Sequence, residues 1–328
     1  MKPVFMQIKS TILTAIGLMF VAFCAAGHAQ SFPTKPITLF VSFAPGGAGD
    51  LLARRVAQKM SENMGQPVLI ENRPGAGAAV AAVIVAKSAP DGYTLLLTGN
   101  GTAISSVLFK SLPYNYTRDF RHVSSLASFD LALIISGQSD FKSAADIVAF
   151  AKANPGKLNI GTSRIGSTQH LAAEMFKSMA GIDAVSVPYK SSGEMITALR
   201  ANDVQLAFEI VPAILGQISS KSLKLLAVAS SKRFPGFPDV PTMVESGVPG
   251  FDATSWAGIS VPVKTPTIIV DRLAKEVEIA VAAPDVQKAL QSMGFLAGSS
   301  TPEQMTQRIQ LDMAKWKSVI VKSGIQLQ

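Results

Sequence analysis

The stretch Ala44–Asp50, with the sequence Ala-Pro-Gly-Gly-Ala-Gly-Asp, holds residues of the kind that bind an anion. It follows a short apolar run and precedes a helix-like segment, so it predicts a turn from a buried strand into a helix. Backbone N–H groups at a helix N-terminus lack intrahelical acceptors, and the helix dipole there favours a negative charge. Glycines would let an anion approach them closely. The alternatives are a turn whose glycines only permit the backbone path and an Asp50 that only caps the helix.

Other chemistries find little support in the sequence. Besides His28, which lies in the leader described below, the chain has only His122 and His170, which do not stand at the spacing of a metal site. Gly75-Ala76-Gly77 follows a predicted strand, but Val80 replaces the third glycine of a dinucleotide fingerprint, and there is no GK[ST] phosphate loop. The sequence has no G-x-S-x-G elbow. We expect no catalytic centre, no metal and no cofactor, and interpret His170 as a local hydrogen-bonding group.

The first 29 residues are typical of a cleavable signal peptide. Lys2 and Lys9 flank a polar start, residues 11–26 are almost wholly apolar, and the small residues Gly27 and Ala29 close the segment. The apolar run of roughly 16 residues is shorter than the ~20 that a membrane-spanning helix needs. We expect an exported mature chain that begins near Gln30.

Composition narrows the function further. The only cysteine, Cys24, lies in the leader, so the mature chain can form neither a disulfide nor a thiolate metal site. Loss of Lys2 and Lys9 lowers the formal net charge from +8 to +6, and the remaining excess is spread along the chain without a basic run. This pattern does not favour nucleic acid as a partner, whereas a mild positive field would attract small anions.

The elements that would position these residues alternate along the chain. Strand and helix patterns follow one another from Ile37 to Thr98 and again from Leu131 to Val228, and two long helices, about 266–283 and 302–323, close the chain. This order predicts parallel sheets with right-handed crossovers in two doubly wound α/β units. Ligands of such units collect beyond the carboxyl ends of the strands, where loops run into helix starts.

Seven segments carry a resemblance to a known family. They are FPTKPITLFVSFAPGGAGDLLAR at 32–54, GQPVLIENRPGAGAAVAA at 65–82, APDGYTLLL at 89–97, LPYNYTRDF at 112–120, NPGKLNIGT at 154–162, VPYKSSGE at 187–194 and FPDVPTMVESGVPGF at 237–251. Together they span nearly all of the mature chain. On these segments the protein resembles the solute-binding proteins of the tripartite tricarboxylate transporter family, also called Bug receptors.

The resemblance implies a periplasmic receptor with a Venus-flytrap fold, in which two α/β domains are joined by two crossing strands. Domain one would comprise residues 30–128 and 253–328, and domain two residues 129–252. A monomer would hold a small carboxylated solute between the domains and deliver it to the membrane subunits of a tripartite transporter. The alternative is a sensor that presents its closed form to a membrane histidine kinase. A periplasmic hydrolase is a third alternative, for which the sequence offers no nucleophile–base pair.

The resemblance also implies which residues meet the solute. In this family backbone amides and hydroxyls, rather than a salt bridge, hold the carboxylate. Here the amides of Ala44–Gly47 and the hydroxyls of Ser167 and Thr168 would do so. The predicted ligand-binding residues are Phe43, Ala44, Gly46, Gly47, Asp50, Asn100, Thr102, Ser163, Arg164, Gly166, Ser167, Thr168, Tyr189 and Glu209.

Two of these positions depart from the family's pattern. Arg164, followed by Ile165, stands where relatives have glycine and a small polar residue, and Glu209 stands where they have aspartate. We expect Arg164 to favour solutes with a second acidic group, because a planar guanidinium suits two-point contact with a carboxylate. Glu209 would either pair with Arg164 or repel that second group. The alternatives are an Arg164 that points to solvent, and a Tyr189 and Trp256 that pack in the core rather than stack on the solute.

Overall fold

Two mixed β-sheets organise the protein in the computed structural model, which describes residues 32–75 and 78–328. The strands are β1 Ile37–Val41, β2 Val68–Asn72, β3 Thr94–Gly99, β4 Phe120–Phe129, β5 Leu131–Ser136, β6 Leu158–Thr162, β7 Ala184–Pro188, β8 Leu206–Ile210, β9 Leu223–Val228, β10 Ser255–Pro262 and β11 Leu296–Ala297. The first sheet has the strand order β11-β4-β10-β3-β1-β2 and the second β7-β6-β8-β5-β9. The signal peptide predicted at residues 1–29 lies outside the described residues.

Helices connect most of these strands. Within the described ranges, none of them is both long and apolar enough to cross a membrane. Ser143 and Asp146 form a capping box at one helix start. The helices are α1 Ala48–Met64, α2 Ala79–Ala86, α3 Asn100–Leu108, α4 Ala144–Ala153, α5 Thr168–Ala180, α6 Ser192–Ala201, α7 Val211–Ser219, α8 Thr267–Ala282, α9 Pro284–Ser292 and α10 Pro302–Lys322.

Parallel pairing holds where strand, helix and strand follow one another. β1 pairs in parallel with β2 and β3, and β6 with β7 and β8. The carboxyl ends of these strands, and the helix N-termini that follow them, therefore gather at one edge of each sheet. The predicted parallel pairing is confirmed for these strand–helix–strand units, but both sheets are mixed, because β4, β5, β9, β10 and β11 each run antiparallel to a neighbour.

The chain passes between the two sheets twice. Asp130 alone separates β4 from β5, and residues 229–254 separate β9 from β10. We call the parts around the first and second sheets lobe one and lobe two; both lie in one compact unit, Lys35–Gln328. Leu108 of α3 and Trp316 of α10 belong to the same apolar cluster as Phe208 of β8, so side chains from both lobes share one core.

A buried polar group lies in the middle of the first sheet. His122 on β4 pairs with Ser260 on β10, and its Nδ1 lies 2.9 Å from the Ser260 Oγ. The ring of Tyr116 packs edge-on against the imidazole. Burial lowers the pKa of His122 to about 4, so the imidazole is neutral in the folded protein at neutral pH.

Acid is expected to destabilise the fold through His122. The unfolded chain binds a proton on this side chain below about pH 6.5, whereas the folded chain does so only near pH 4. The free energy of unfolding should therefore fall between pH 6.5 and pH 4, by up to about 3 kcal/mol from this residue. Urea unfolding across this range should show a weaker pH dependence in His122→Asn, whose amide still offers Ser260 a partner. An unchanged pH dependence would contradict this assignment.

Candidate functional site

The stretch Ala44–Gly47 forms a tight turn between β1 and α1. The N–H of Gly47 donates to the carbonyl oxygen of Ala44 over 3.0 Å. Gly46, the third residue of the turn, has a φ of +78°, a left-handed conformation that glycine adopts without strain. Proline at the second position favours such a turn because its ring fixes φ. These residues therefore lead the chain directly from a buried strand into the helix that Gly47 caps.

Asp50, in the first turn of α1, holds this turn in place. Its Oδ2 accepts the N–H of Gly46 and the Nε–H of Arg54, each over 2.9 Å, and its Oδ1 accepts from Asn72 Nδ2 over 2.8 Å. Burial opposes ionisation of Asp50, but hydrogen bonds from Arg54, Asn72 and Gly46 together outweigh it and lower the pKa. Both carboxylate oxygens are used by the protein, so we expect Asp50 to position the turn rather than to contact a ligand.

Lobe two repeats this arrangement between β6 and α5. The N–H of Ser167 donates to the carbonyl oxygen of Arg164 over 2.9 Å, and Gly166 again has a φ of +78°. The cap residues have almost the same backbone angles, φ −71° and ψ 161° at Gly47 and φ −72° and ψ 161° at Ser167. We call residues 44–50 and 164–170 the two turn–helix units.

His170 takes the place in lobe two that Asp50 has in lobe one. In each unit the N–H of the turn glycine donates to a side chain four residues further on; in lobe two Gly166 N lies 3.3 Å from His170 Nδ1. The prediction of a local hydrogen-bonding role for His170 is confirmed. Burial lowers the pKa of His170, which keeps Nδ1 available as an acceptor at neutral pH.

Two of the amides predicted to hold the anion already form hydrogen bonds within the protein. The N–H of Gly46 is bound by Asp50, and that of Gly47 is bound by Ala44. The physical reason is that the turn closes on itself and on the first turn of the helix. The N–H groups of Gly46 and Gly47 are therefore used within the turn.

The N–H groups that remain open belong to the next residues. Those of Ala48 and Gly49 in lobe one, and of Thr168 and Gln169 in lobe two, find no acceptor among the residues that the structure describes. All four are the first or second residues of their helices, where the helix dipole favours an anion. Each turn–helix unit therefore offers at least two backbone donors.

Hydroxyl groups lie beside the donor pair of lobe two. Ser163 Oγ donates to Ser167 Oγ over 2.9 Å, and Ser167 Oγ also accepts the N–H of His170 over 3.1 Å. As an acceptor in both bonds, Ser167 keeps its own proton for a further acceptor. Thr168, the first residue of α5, is buried.

Three more of the predicted residues lie at or near other helix starts. Asn100 and Thr102 are buried in the first turn of α3. The Asn100 side chain is used within the protein, since its Oδ1 accepts from Trp316 Nε1 over 3.1 Å and its Nδ2 donates to the Thr254 carbonyl over 3.4 Å. Tyr189 is half-buried against an apolar cluster of lobe two.

Two aromatic residues take different places. Phe43 lies so close to the start of α1 that a Cβ added at Gly49 would come within 2.3 Å of its ring. It therefore covers that helix start, with 40% of its surface exposed. Trp256 is fully buried and donates to Asp312 from its indole nitrogen. Trp256 is therefore a packing residue of the core and does not stack on a solute, which was one of the two alternatives from the sequence.

Arg164 and Glu209 do not meet. Arg164 is exposed and forms no ion pair with another described residue. Glu209 is fully buried, and its Oε1 accepts from Gln169 Nε2 and from the N–H of Ile210, each over 2.8 Å. The hypothesis of an Arg164–Glu209 pair is therefore wrong, because the strand turns the carboxyl into the lobe while the arginine stays on the surface.

A close contact between the lobes lies at the turn glycine of lobe two. A Cβ added at Gly166 would come within 2.0 Å of Cδ2 of Leu108, on α3. A side chain at this position would therefore require Leu108 or the turn to shift.

The fold and site define a two-lobed solute receptor, in which each lobe presents backbone donors at the edge of a mixed sheet. The family model described as "Tripartite tricarboxylate transporter family receptor" matches residues 52–325. The chain therefore belongs to this family, the Bug receptors, whose members are periplasmic solute-binding proteins.

Individual relatives agree with this assignment. The chain is 33% identical to Protein BugT of Bordetella pertussis over 321 residues, which cover 97% of this chain and 98% of BugT. The solved structure of R. palustris Rpa4515 with adipate is similar, with a TM-score of 0.82, 33% identity and coverage of 90% of this chain and 99% of that one. MatC (Rpa3494) from Rhodopseudomonas palustris, with bound malate, has a TM-score of 0.77, 31% identity and coverage of 88% and 100%.

Gly166→Ala should weaken solute binding, because the added methyl group meets Leu108 and displaces the turn that carries the donor pair. The left-handed φ adds a cost of about 1–2 kcal/mol to folding. Gly181→Ala is the matched control, since Gly181 also has a left-handed φ, of +60°, but nothing lies within 4 Å of its added Cβ.

Urea unfolding and calorimetry with a carboxylate that stabilises the wild type separate the two effects. Both variants should lose stability, whereas affinity should fall, by about tenfold or more, in Gly166→Ala alone. Equal affinities in the two variants would show that the contact with Leu108 has no part in binding.

Proposed function

We propose that this protein is a periplasmic receptor that captures a small carboxylated solute between its lobes and delivers it to the membrane subunits of a tripartite transporter. The observation that carries the proposal is the pair of turn–helix units, 44–50 and 164–170, with their open N–H groups. Two relatives support the solute class, since Rpa4515 was solved with adipate and MatC with malate. Both of these ligands are dicarboxylates.

Recognition of the first carboxylate would use uncharged donors. The open amides of Ala48, Gly49, Thr168 and Gln169 and the hydroxyl of Ser167 would donate to its oxygens. A hydrogen bond to a charged group contributes roughly 1.5–3 kcal/mol, and helix N-termini favour the anion further. Closure of the lobes would remove water and strengthen these interactions.

The lobes would hinge where the chain passes between the sheets. We infer domain limits of 30–128 with 253–328 for domain one and 129–252 for domain two. Arg164, exposed and without an ion pair among the described residues, is available to a second acidic group of the solute. We further infer that residues 1–29 direct export, that cleavage near Gln30 releases the mature chain, and that the receptor is a monomer.

The solute class is tested by thermal unfolding of the mature protein against mono-, di- and tricarboxylates, amino acids, aromatic acids, sugars and nucleotides. A ligand that binds only the folded state stabilises it by about 2.7 kcal/mol when its free concentration is about 100 times Kd. We expect at least one carboxylate to raise the Tm by several degrees. A rise with neutral sugars or nucleotides alone would refute the proposal.

A further inference from the structure

The outer face of α10 leaves an apolar stripe uncovered. Leu311 is 63% exposed and Val321 is 71% exposed, which places both among the most exposed large apolar side chains of the described residues. Ala314 and Ser318 are also exposed and lie between them on the same face, since the four residues follow one another at steps of three and four. The stripe is about 15 Å long.

Cations border this stripe on both sides. Arg308, Lys315 and Lys322 recur at seven-residue spacing along one border. Lys317 lies on the other border. Past its first turn the helix has one acidic residue, Asp312, which is buried and pairs with Lys315 over 3.2 Å. The other three cations form no ion pair with another described residue, so this surface carries a net positive charge. We call the stripe and its cations the basic face of α10.

A groove of about 520 Å³ opens beside the first half of the basic face. One wall is formed by α10 between Gln304 and Lys315, and the other by Asp252 and Thr254. Asp252 and Thr254 belong to the second passage between the lobes, residues 229–254. The groove therefore borders both a helix of lobe one and the segment about which the lobes would hinge.

Arg308 brings an incompletely balanced charge into this groove. Its guanidinium lies over the ring of the buried Trp256, 5.4 Å from the ring centroid, and this contact helps to hold the half-buried side chain in place. Burial lowers the pKa of Arg308 in spite of the nearby carboxyl groups of Asp312 and Asp252, so these groups do not fully compensate the charge. An arginine seated in a groove is a common anchor of protein interfaces, because its guanidinium can bind a carboxylate at two points.

We propose that the basic face of α10 and its groove dock a membrane subunit of the transporter, through a segment that presents a carboxylate to Arg308 and an apolar side chain to Leu311. This inference rests on the proposed function, in which the solute is delivered to such subunits. Because the groove borders the passage between the lobes, a docked segment contacts the part of the receptor that changes when the lobes close. The partner can then recognise the solute-loaded form at a surface outside the two turn–helix units.

Two other occupants fit this surface less well. A helix that lies on a membrane needs a broad apolar face, whereas the stripe has only two large apolar side chains, and a flat bilayer does not fill a groove. A second copy of the chain would have to place one basic face opposite another, and like charges disfavour that contact.

The test reverses exposed charges and follows solute uptake. Lys317→Glu/Lys322→Glu changes the basic face. Lys264→Glu/Lys288→Glu is the matched control, because these two lysines are also exposed and form no ion pair with another described residue. Each protein is exported in a host strain that lacks the wild-type gene, and uptake is measured with a radiolabelled carboxylate that raises the Tm of the wild type. Calorimetry with the same carboxylate and urea unfolding report the solute affinity and the stability of each purified variant.

Charge reversal on the basic face should lower uptake by about tenfold or more, because it places like charges opposite the carboxylates of the partner. Solute affinity should stay within about twofold, since neither lysine belongs to a turn–helix unit. The control pair should leave uptake and affinity unchanged.

Crosslinking identifies the partner. A photoreactive benzoylphenylalanine at Leu311 should crosslink to an epitope-tagged membrane subunit in intact cells. The same group at Ile268 on α8, which is 78% exposed, should not.

Several results would overturn the inference alone. They are normal uptake in Lys317→Glu/Lys322→Glu, a fall in its uptake that an equal fall in solute affinity explains, and a crosslink to the membrane subunit from Ile268 but not from Leu311. Binding of the wild type to phosphatidylglycerol vesicles without a crosslink from Leu311 would assign the basic face to the bilayer, and a dimer that the charge reversal dissociates would assign it to a second copy. A wild type that binds carboxylates but supports no uptake would instead refute delivery to a transporter, and this inference with it.

Discussion

One hydrogen bond, repeated in each lobe, is the constraint on which the binding site depends. It runs from the N–H of a left-handed turn glycine to a side chain four residues further on, Gly46 to Asp50 and Gly166 to His170. The bond fixes the turn against the start of its helix, and so determines which amides are consumed and which stay open. A glycine-rich turn without it would lose conformational entropy on binding, whereas a fixed turn presents its donors in advance.

The two turn–helix units have the same backbone geometry, but the side chains that hold their turns differ in charge. Asp50 is ionised but is neutralised locally by Arg54, at 2.9 Å, while His170 acts as a neutral acceptor. An anionic solute would therefore meet helix N-termini and uncharged donors, with no buried cation committed to it among the described residues. Such donors bind a carboxylate without the large desolvation cost of a buried ion pair, which suits a receptor that must release its ligand.

Much of the architecture could be predicted from the sequence, because apolar runs, Pro-Gly turns and helix caps are local signals. β1, α1 and the parallel units around β6 follow from such signals. β4 and β10 show no such local signal, because buried serines interrupt the apolar run. The hydroxyls of Ser124 and Ser125 donate to the carbonyl oxygens of Ser300 and Gly298, which are far away in the chain. The resemblance to the family pointed to residues 163–168, but the residue pattern did not show that this segment repeats the first turn–helix unit, because Arg-Ile-Gly-Ser-Thr-Gln-His shares only its glycine with that unit. Which amides stay open depends on the path of the backbone, and residue types do not encode it directly.

The central claim is that binding uses the amides beyond each turn and not the amides within it. Backbone amide NMR of the isotope-labelled mature protein, titrated with a carboxylate that raises its Tm, tests this claim most directly. Ala48, Gly49, Thr168 and Gln169 should move downfield as they gain hydrogen bonds to the carboxylate. Gly46 and Gly166, whose N–H groups are already bonded, should move little. Large shifts at Gly46 and Gly166 with none at the four open amides would contradict the account.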